Sequence, residues 1–83
     1  MRGTGPVTIG REVVYATFAG AGRTVRLRLS ADECDRLDLF EGRQIRLGLD
    51  GREPASALVT SVAPAPPFVW VEVEFAGAVS RAV

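Results

Sequence analysis

Three short segments of this chain alternate apolar and polar residues with a period of two. In "RTVRLRLS" (23–30), Val25, Leu27 and Leu29 point one way and Thr24, Arg26 and Arg28 the other. In "RQIRLGL" (43–49), Ile45, Leu47 and Leu49 oppose Gln44, Arg46 and Gly48. In "FVWVEVEF" (68–75), Val69, Val71, Val73 and Phe75 oppose Trp70, Glu72 and Glu74. This period is that of half-buried β-strands. Two other segments read as strands with less regular patterns. "VTIGREVVYATFA" (7–19) carries Val7, Ile9, Val13 and Tyr15 on one parity and Val14, Ala16 and Phe18 on the other. Either Gly10 holds a bulge that switches faces, or both faces are covered. "SALVTSVA" (56–63) is the second. "GAG" (20–22), "DGREP" (50–54) and "PAPP" (64–67) have the residues of turns and loops.

Between the second and third strands, Ser30-Ala31-Asp32-Glu33 has the S-x-x-E form of a capping box. The Ser30 hydroxyl is expected to accept from the Glu33 N–H, with the Glu33 carboxylate accepting from the Ser30 N–H. A short helix is predicted to about Asp38. Cys34 and Leu37, three apart, face the core, joined by Leu39 or Phe40. Asp32, Asp35 and Asp38 form an acidic stripe, read as a solvated helix face.

One-sided strands in 83 residues do not bury their apolar faces in a flat open sheet. Closing the sheet buries the faces and removes exposed edges. The expected fold is therefore a mainly β, five-stranded barrel-like domain of order β-β-α-β-β-β, with one short helix near 31–38 plugging one end and a hairpin joining the first two strands. A single domain spans 1–83, with 1–6 and 77–83 as flexible tails.

Ten basic residues balance ten acidic ones, so no net field draws in nucleic acid or an anionic membrane. All ten basic residues are Arg, His is absent and Cys34 is the single Cys. A Schiff-base lysine, a Cys/His zinc site and a His-activated nucleophile are thereby excluded. No run approaches the roughly 20 apolar residues of a membrane helix. A cytoplasmic location is expected, with no membrane partner, no metal and no cofactor.

Arg26, Arg28, Arg46 and Trp70 are the candidate binding residues, all on the polar parity of their strands. The arginines either pair with Glu72 and Glu74 across neighbouring strands or face a partner or an anion. Trp70 either marks an interface or packs under the proline loop. Cys34, placed beside Leu37 with no His to activate it, reads as a small core residue.

The segment "RTVRLRLSADECDRLDLFEGRQIRLGL" (23–49) resembles the strand–helix–strand unit of the molybdate-binding and transport-associated barrels, the Mop and TOBE domains. Their "LGL-x-x-G" element is matched by Leu37-Asp38-Leu39-Phe40-Glu41-Gly42, with Asp38 where Gly is commoner. A more distant likeness is to AbrB-type swapped-hairpin domains, which share an "L-x-L-x-x-G-x-x-V" run. The first resemblance implies a small barrel that oligomerises and binds oxyanions or other small ligands between subunits. It transfers no ligand residue. The second implies a DNA-binding dimer. The expected function is a non-catalytic binding or interaction module, homo-oligomeric, for a small anionic ligand or a protein partner. The alternative is a DNA-binding transcriptional regulator using an Arg-lined strand face, although zero net charge weighs against nucleic acid.

Overall fold

The long N-terminal strand predicted over 7–19 is two strands. Gly10 adopts φ +65°, a left-handed conformation that glycine reaches at little cost, and turns the chain through Gly10-Arg11. A computed structural model, which describes residues 2–76, places β1 at Arg2–Ile9 and β2 at Glu12–Ala21 on either side of that turn. The parity switch read in the sequence is real, and a hairpin produces it. Val7 and Ile9 point inward from β1, and Val14, Ala16 and Phe18 from β2. Residues 2–6, expected as a tail, belong to β1. Their inward positions are Gly3 and Gly5, paired with Phe18 and Ala16. A Cβ on Gly3 would lie 3.2 Å from the Phe18 ring, so the ring takes the space the glycine leaves. The predicted tail at 77–83 lies outside the described residues.

The remaining elements are β3 (Thr24–Ser30), α1 (Ala31–Arg36), β4 (Gln44–Leu49), β5 (Ala55–Ala65) and β6 (Phe68–Phe75). The domain is thus a closed barrel of six strands rather than five, in the order β1-β2-β3-β6-β5-β4, every neighbour antiparallel. The turn expected at 20–22 falls one residue later, at Gly22-Arg23, because Gly20 and Ala21 continue the β2–β3 ladder. β5 outruns its predicted end and meets β6 through the two-residue turn Pro66-Pro67, joined by a cis peptide bond. A bulge at Thr60 separates the pairs Val59↔Val73 and Ser61↔Glu72 and changes which parity of β5 faces inward.

The barrel is filled by one cluster of apolar side chains. Leu27 and Val25 of β3, Leu47 of β4, Val59 of β5 and Val71 and Val73 of β6 are at its centre. The chain from β3 to β4 crosses one mouth of the barrel and closes it there with Cys34 of α1 and with Leu37 and Leu39, which follow the helix. Leu39 joins this core, while Phe40 stays 50% exposed.

Both ends of α1 are satisfied by local chemistry. The capping box forms as predicted: Glu33 N–H donates to Ser30 Oγ at 3.0 Å, and Ser30 N–H donates to Glu33 Oε1 at 3.1 Å. The helix itself is shorter than predicted. Asp38 takes φ +57°, the left-handed position at which glycine usually stands. Asp38 N–H then donates to the Asp35 carbonyl and Leu39 N–H to the Cys34 carbonyl, a Schellman closure with Leu39 packed into the core. Arg43, expected to begin a strand, turns back instead. Its Nη1 donates to the Leu37 and Asp38 carbonyls.

Ser30→Ala removes the acceptor for Glu33 N–H and is expected to destabilise the domain by about 1 kcal/mol. For a domain of this size that is a fall of roughly 4–8 °C in melting temperature, readable by circular dichroism. Thr8→Ala, on the outer face of β1, provides the near-neutral comparison.

Candidate functional site

The candidate residues divide between two places on the barrel. Arg26 and Arg28 project from β3, and Trp70 from the adjacent β6. Arg46 projects from β4, three strands from β3 in either direction around the barrel and two from β6 by way of β5. Arg46 therefore does not join the other three. One of its nitrogens donates to the Pro54 carbonyl at 3.0 Å. Gly48, the next outward residue of β4, is covered: a Cβ there would stand 2.9 Å from the Arg52 carbonyl oxygen.

On the outer face of β3 and β6, Thr24 stands opposite Glu74, Arg26 opposite Glu72 and Arg28 opposite Trp70. The strands with the arginine and glutamate rows are thus neighbours, yet the arginines settle over rings. The Arg26 guanidinium carbon lies 5.0 Å from the Trp70 ring centroid, and that of Arg28 lies 4.5 Å from the Phe68 centroid. Each arginine leans to the diagonal partner one row along, which is within reach of long side chains across a strand pair. Guanidinium and ring faces attract through the ring quadrupole, by about 0.5–1 kcal/mol at exposed sites. Among the described residues the ion pairs are Arg23–Glu74 at 3.6 Å and Arg36–Glu12 at 2.9 Å. On its other side Trp70 faces Ala63 of β5, a residue too small to cover it.

A groove of about 410 Å³ runs beside this stack, lined by Arg2, Thr4, Thr17, Ala19, Arg26 and Trp70. A second hollow of about 550 Å³ shares Arg2, Ala19 and Arg26 and continues toward Ala21 and Thr24. The lining combines small residues, the rings of Phe18 and Trp70, two threonine hydroxyls 3.2 Å apart and the arginines Arg2 and Arg26. A guanidinium presents five donors in a planar fork suited to carboxylate and phosphate oxygens. Sequence reasoning missed Arg2, Thr4 and Thr17. The signal that would have found Arg2 and Thr4 is the run Gly3-x-Gly5-x-Val7-x-Ile9, a period-two pattern whose first inward residues are glycines.

Arg46 lines a separate cleft of about 430 Å³ at the helix-covered end, with Arg11, Glu12, Arg36, Asp38 and Arg43. Most of its charges already hold the structure together: Arg36 pairs with Glu12, Arg43 caps α1, and Arg46 binds the turn after β4.

The residues of α1 bear no comparable arrangement. Asp32, Asp35 and Asp38 are exposed, and among the described residues no group of three or more His, Cys, Asp or Glu side chains is placed to hold a metal ion. Cys34 is 6% exposed, with its Sγ 3.9 Å from the Leu39 carbonyl oxygen. Burial, and then the neighbouring Asp35 carboxylate, push its thiol pKa above the ordinary value of 9.0. No family model matches the chain, and neither does any curated protein or solved structure.

The raised thiol pKa fixes the sign of an alkaline effect. Above about pH 9 the unfolded chain loses the thiol proton while the folded chain keeps it, so stability falls as pH rises. Denaturant titrations at increasing alkalinity are expected to show wild type losing stability more steeply than Cys34→Ala. In the native protein, thiol labelling is expected to be far slower than in denaturant.

Proposed function

We propose that this chain is a non-catalytic binding module that holds a small anionic ligand in the groove beside Arg26 and Trp70. The observation that carries this reading is the Arg26–Trp70 stack on one wall of a groove whose lining also includes Arg2. The ring holds the Arg26 side chain in one orientation, which reduces the entropy lost when the guanidinium meets an anion. The threonine hydroxyls provide both donors and acceptors, and Trp70 offers apolar area to a ligand with a flat or apolar part. A barrel with closed hydrogen bonding is a rigid support for such a site. The resemblance of residues 23–49 to Mop and TOBE domains points to the same ligand class.

The exposed apolar residues favour self-association as part of this reading. Val13 is 65% exposed and Tyr15 71%, and they stand opposite Thr8 and Pro6 on a stretch of β1 and β2 without charge. Uncharged aromatic and aliphatic residues of this kind belong to the middle of an interface. DNA binding has less support. Arg46 faces a different side from Arg26 and Arg28, Glu72 and Glu74 share the arginine face, and the chain has no net charge.

Trp70 is the single tryptophan, so its emission reports directly on the groove. Titration with molybdate, inorganic phosphate, benzoate and adenosine monophosphate is expected to give a saturable change for at least one. Arg26→Ala should weaken that ligand about tenfold or more, the loss of one charge-assisted pair, while Arg46→Ala leaves it unchanged. An emission that none of the four alters, or that Arg26→Ala leaves untouched, removes this reading. Light scattering over a concentration series tests the second part: wild type is expected to associate, and Tyr15→Glu to be monomeric.

A further inference from the structure

The barrel closes over only part of β1. Its pairing with β4 covers Val7↔Leu49, Thr8↔Gly48 and Ile9↔Leu47, whereas its pairing with β2 runs from Ile9 back to Arg2. The first half of β1 therefore extends beyond the end of β4. The direction of its peptide groups follows from two bonds at the seam. Gly10 N–H donates to the Arg46 carbonyl, and Asp50 N–H donates to the Pro6 carbonyl, so the even-numbered peptide groups face β4. Peptide groups of alternate residues in a strand share a side. Those of Thr4 and Arg2 face the same way as Pro6, where no strand of the described chain pairs with them.

A free strand edge is a template for another strand, and proteins guard such edges with proline, charge or a covering loop. β5 shows one guard. It also outruns β4 beyond Val59, but Pro64 stands on that edge and removes a donor. Arg2–Gly5 carries no proline. A hollow of about 220 Å³ lies against it, lined by Arg2, Gly3, Thr4, Phe18, Asp50 and Arg52. Its lining holds two arginines and one carboxylate, and Asp50 lies at the closed end, where its N–H donates to the Pro6 carbonyl.

We propose that this edge of β1 is a docking site for an extended acidic strand of a partner protein. The incoming strand pairs with the N–H and C=O groups of Arg2 and Thr4, which have no strand partner on that side among the described residues. Its acidic side chains meet Arg2 and Arg52, and its alternate, apolar side chains turn toward Phe18 at the barrel mouth. Main-chain bonds give such a contact its affinity, and alternate side chains give it selectivity. Positive charge at the edge selects the acidic strand and disfavours a second copy of the same arginine-bearing edge. This surface adjoins the ligand groove: Arg2, Gly3, Thr4 and Phe18 line both, whereas Arg26 and Trp70 belong to the groove and Asp50 and Arg52 to the edge.

The test uses the full chain and two fluorescein-labelled peptides, Glu-Val-Glu-Val-Glu-Val and Lys-Val-Lys-Val-Lys-Val, read by anisotropy at low salt. The acidic peptide is expected to bind saturably and the basic one at least tenfold more weakly. Thr4→Pro removes only the outward N–H, at a parity where Pro6 already stands in the native strand, and is expected to weaken the acidic peptide at least tenfold. Thr4→Val loses the hydroxyl but keeps the N–H and is expected to bind as wild type does. Should Thr4→Pro fail to fold by circular dichroism, Arg52→Glu replaces it and is expected to reverse the preference between the peptides. Absence of acidic-peptide binding, equal binding of both peptides, or binding unaffected by Thr4→Pro and Arg52→Glu overturns the proposal. A change of oligomeric state in Thr4→Pro also overturns it, because the edge would then serve a second copy. Arg26→Ala separates the two sites: it is expected to leave the peptide bound while the groove ligand is weakened.

Discussion

The fold depends on the seam between β1 and β4. Five of the six strand contacts join elements through hairpins or long ladders, but this one closes the ring with three residue pairs and two flanking bonds. Both inward-facing pairs at the seam are apolar: Val7 faces Leu49, and Ile9 faces Leu47, each of the four nearly or wholly buried. Closure lets every strand bury one face and turn the other outward, so a chain of 83 residues can keep a continuous core. The seam is short because the turn at Asp50-Gly51 leads β4 away. Both residues take positive φ, and Arg52 N–H donates back to the Leu49 carbonyl. The same turn that ends the seam leaves the first half of β1, paired with β2 on one side, without a strand partner on the other among the described residues.

How much of this was legible depends on where side chains carried the pattern. β3, β4 and β6 alternate cleanly because each faces the core with β-branched or leucine side chains, and their inward sets are those read from the sequence. The helix start was legible because Ser30 and Glu33 are local chemistry, independent of the rest of the fold. The helix end was not, since Asp38 in the left-handed region needs the Arg43 guanidinium and the packing of Leu39 to complete it. The first half of β1 was hidden because glycines occupy its inward positions, and hydropathy has nothing to register there. β5 looked weak because the bulge at Thr60 breaks its period midway: Ala57 and Val59 are buried on one parity, and Val62 packs inward on the other.

The candidate site shows the same boundary. Parity assigned Arg26, Arg28, Arg46 and Trp70 to the outside correctly, because parity follows from a single strand. It could not say which of them share a side, because that depends on strand order. In this barrel β6 is inserted beside β3, which brings Trp70 and Phe68 to Arg26 and Arg28. β4 pairs with β1 and β5, which carries Arg46 away. The competition between glutamates and rings for the arginines was equally beyond a one-dimensional reading. An exposed ion pair is worth little in water, and a ring beside the strand offers a guanidinium comparable attraction together with apolar contact along the side-chain stem.

That outcome matters for what the surface can do. An arginine held by a carboxylate must exchange one anion for another when it binds a ligand, and much of the gain is cancelled. An arginine lying on a ring keeps its donor edge available while its flat face is occupied. Arg26 and Arg28 are arranged in the second way, whereas Arg36 and Arg43 are spent on Glu12 and on the carbonyls of α1. The barrel thus separates arginines that secure the helix-covered mouth from arginines that face outward ready to pair. At the other end Arg2 stands where the groove and the unpaired edge of β1 meet. The two hollows share the Arg2, Gly3, Thr4 and Phe18 lining, so the first half of β1 borders both.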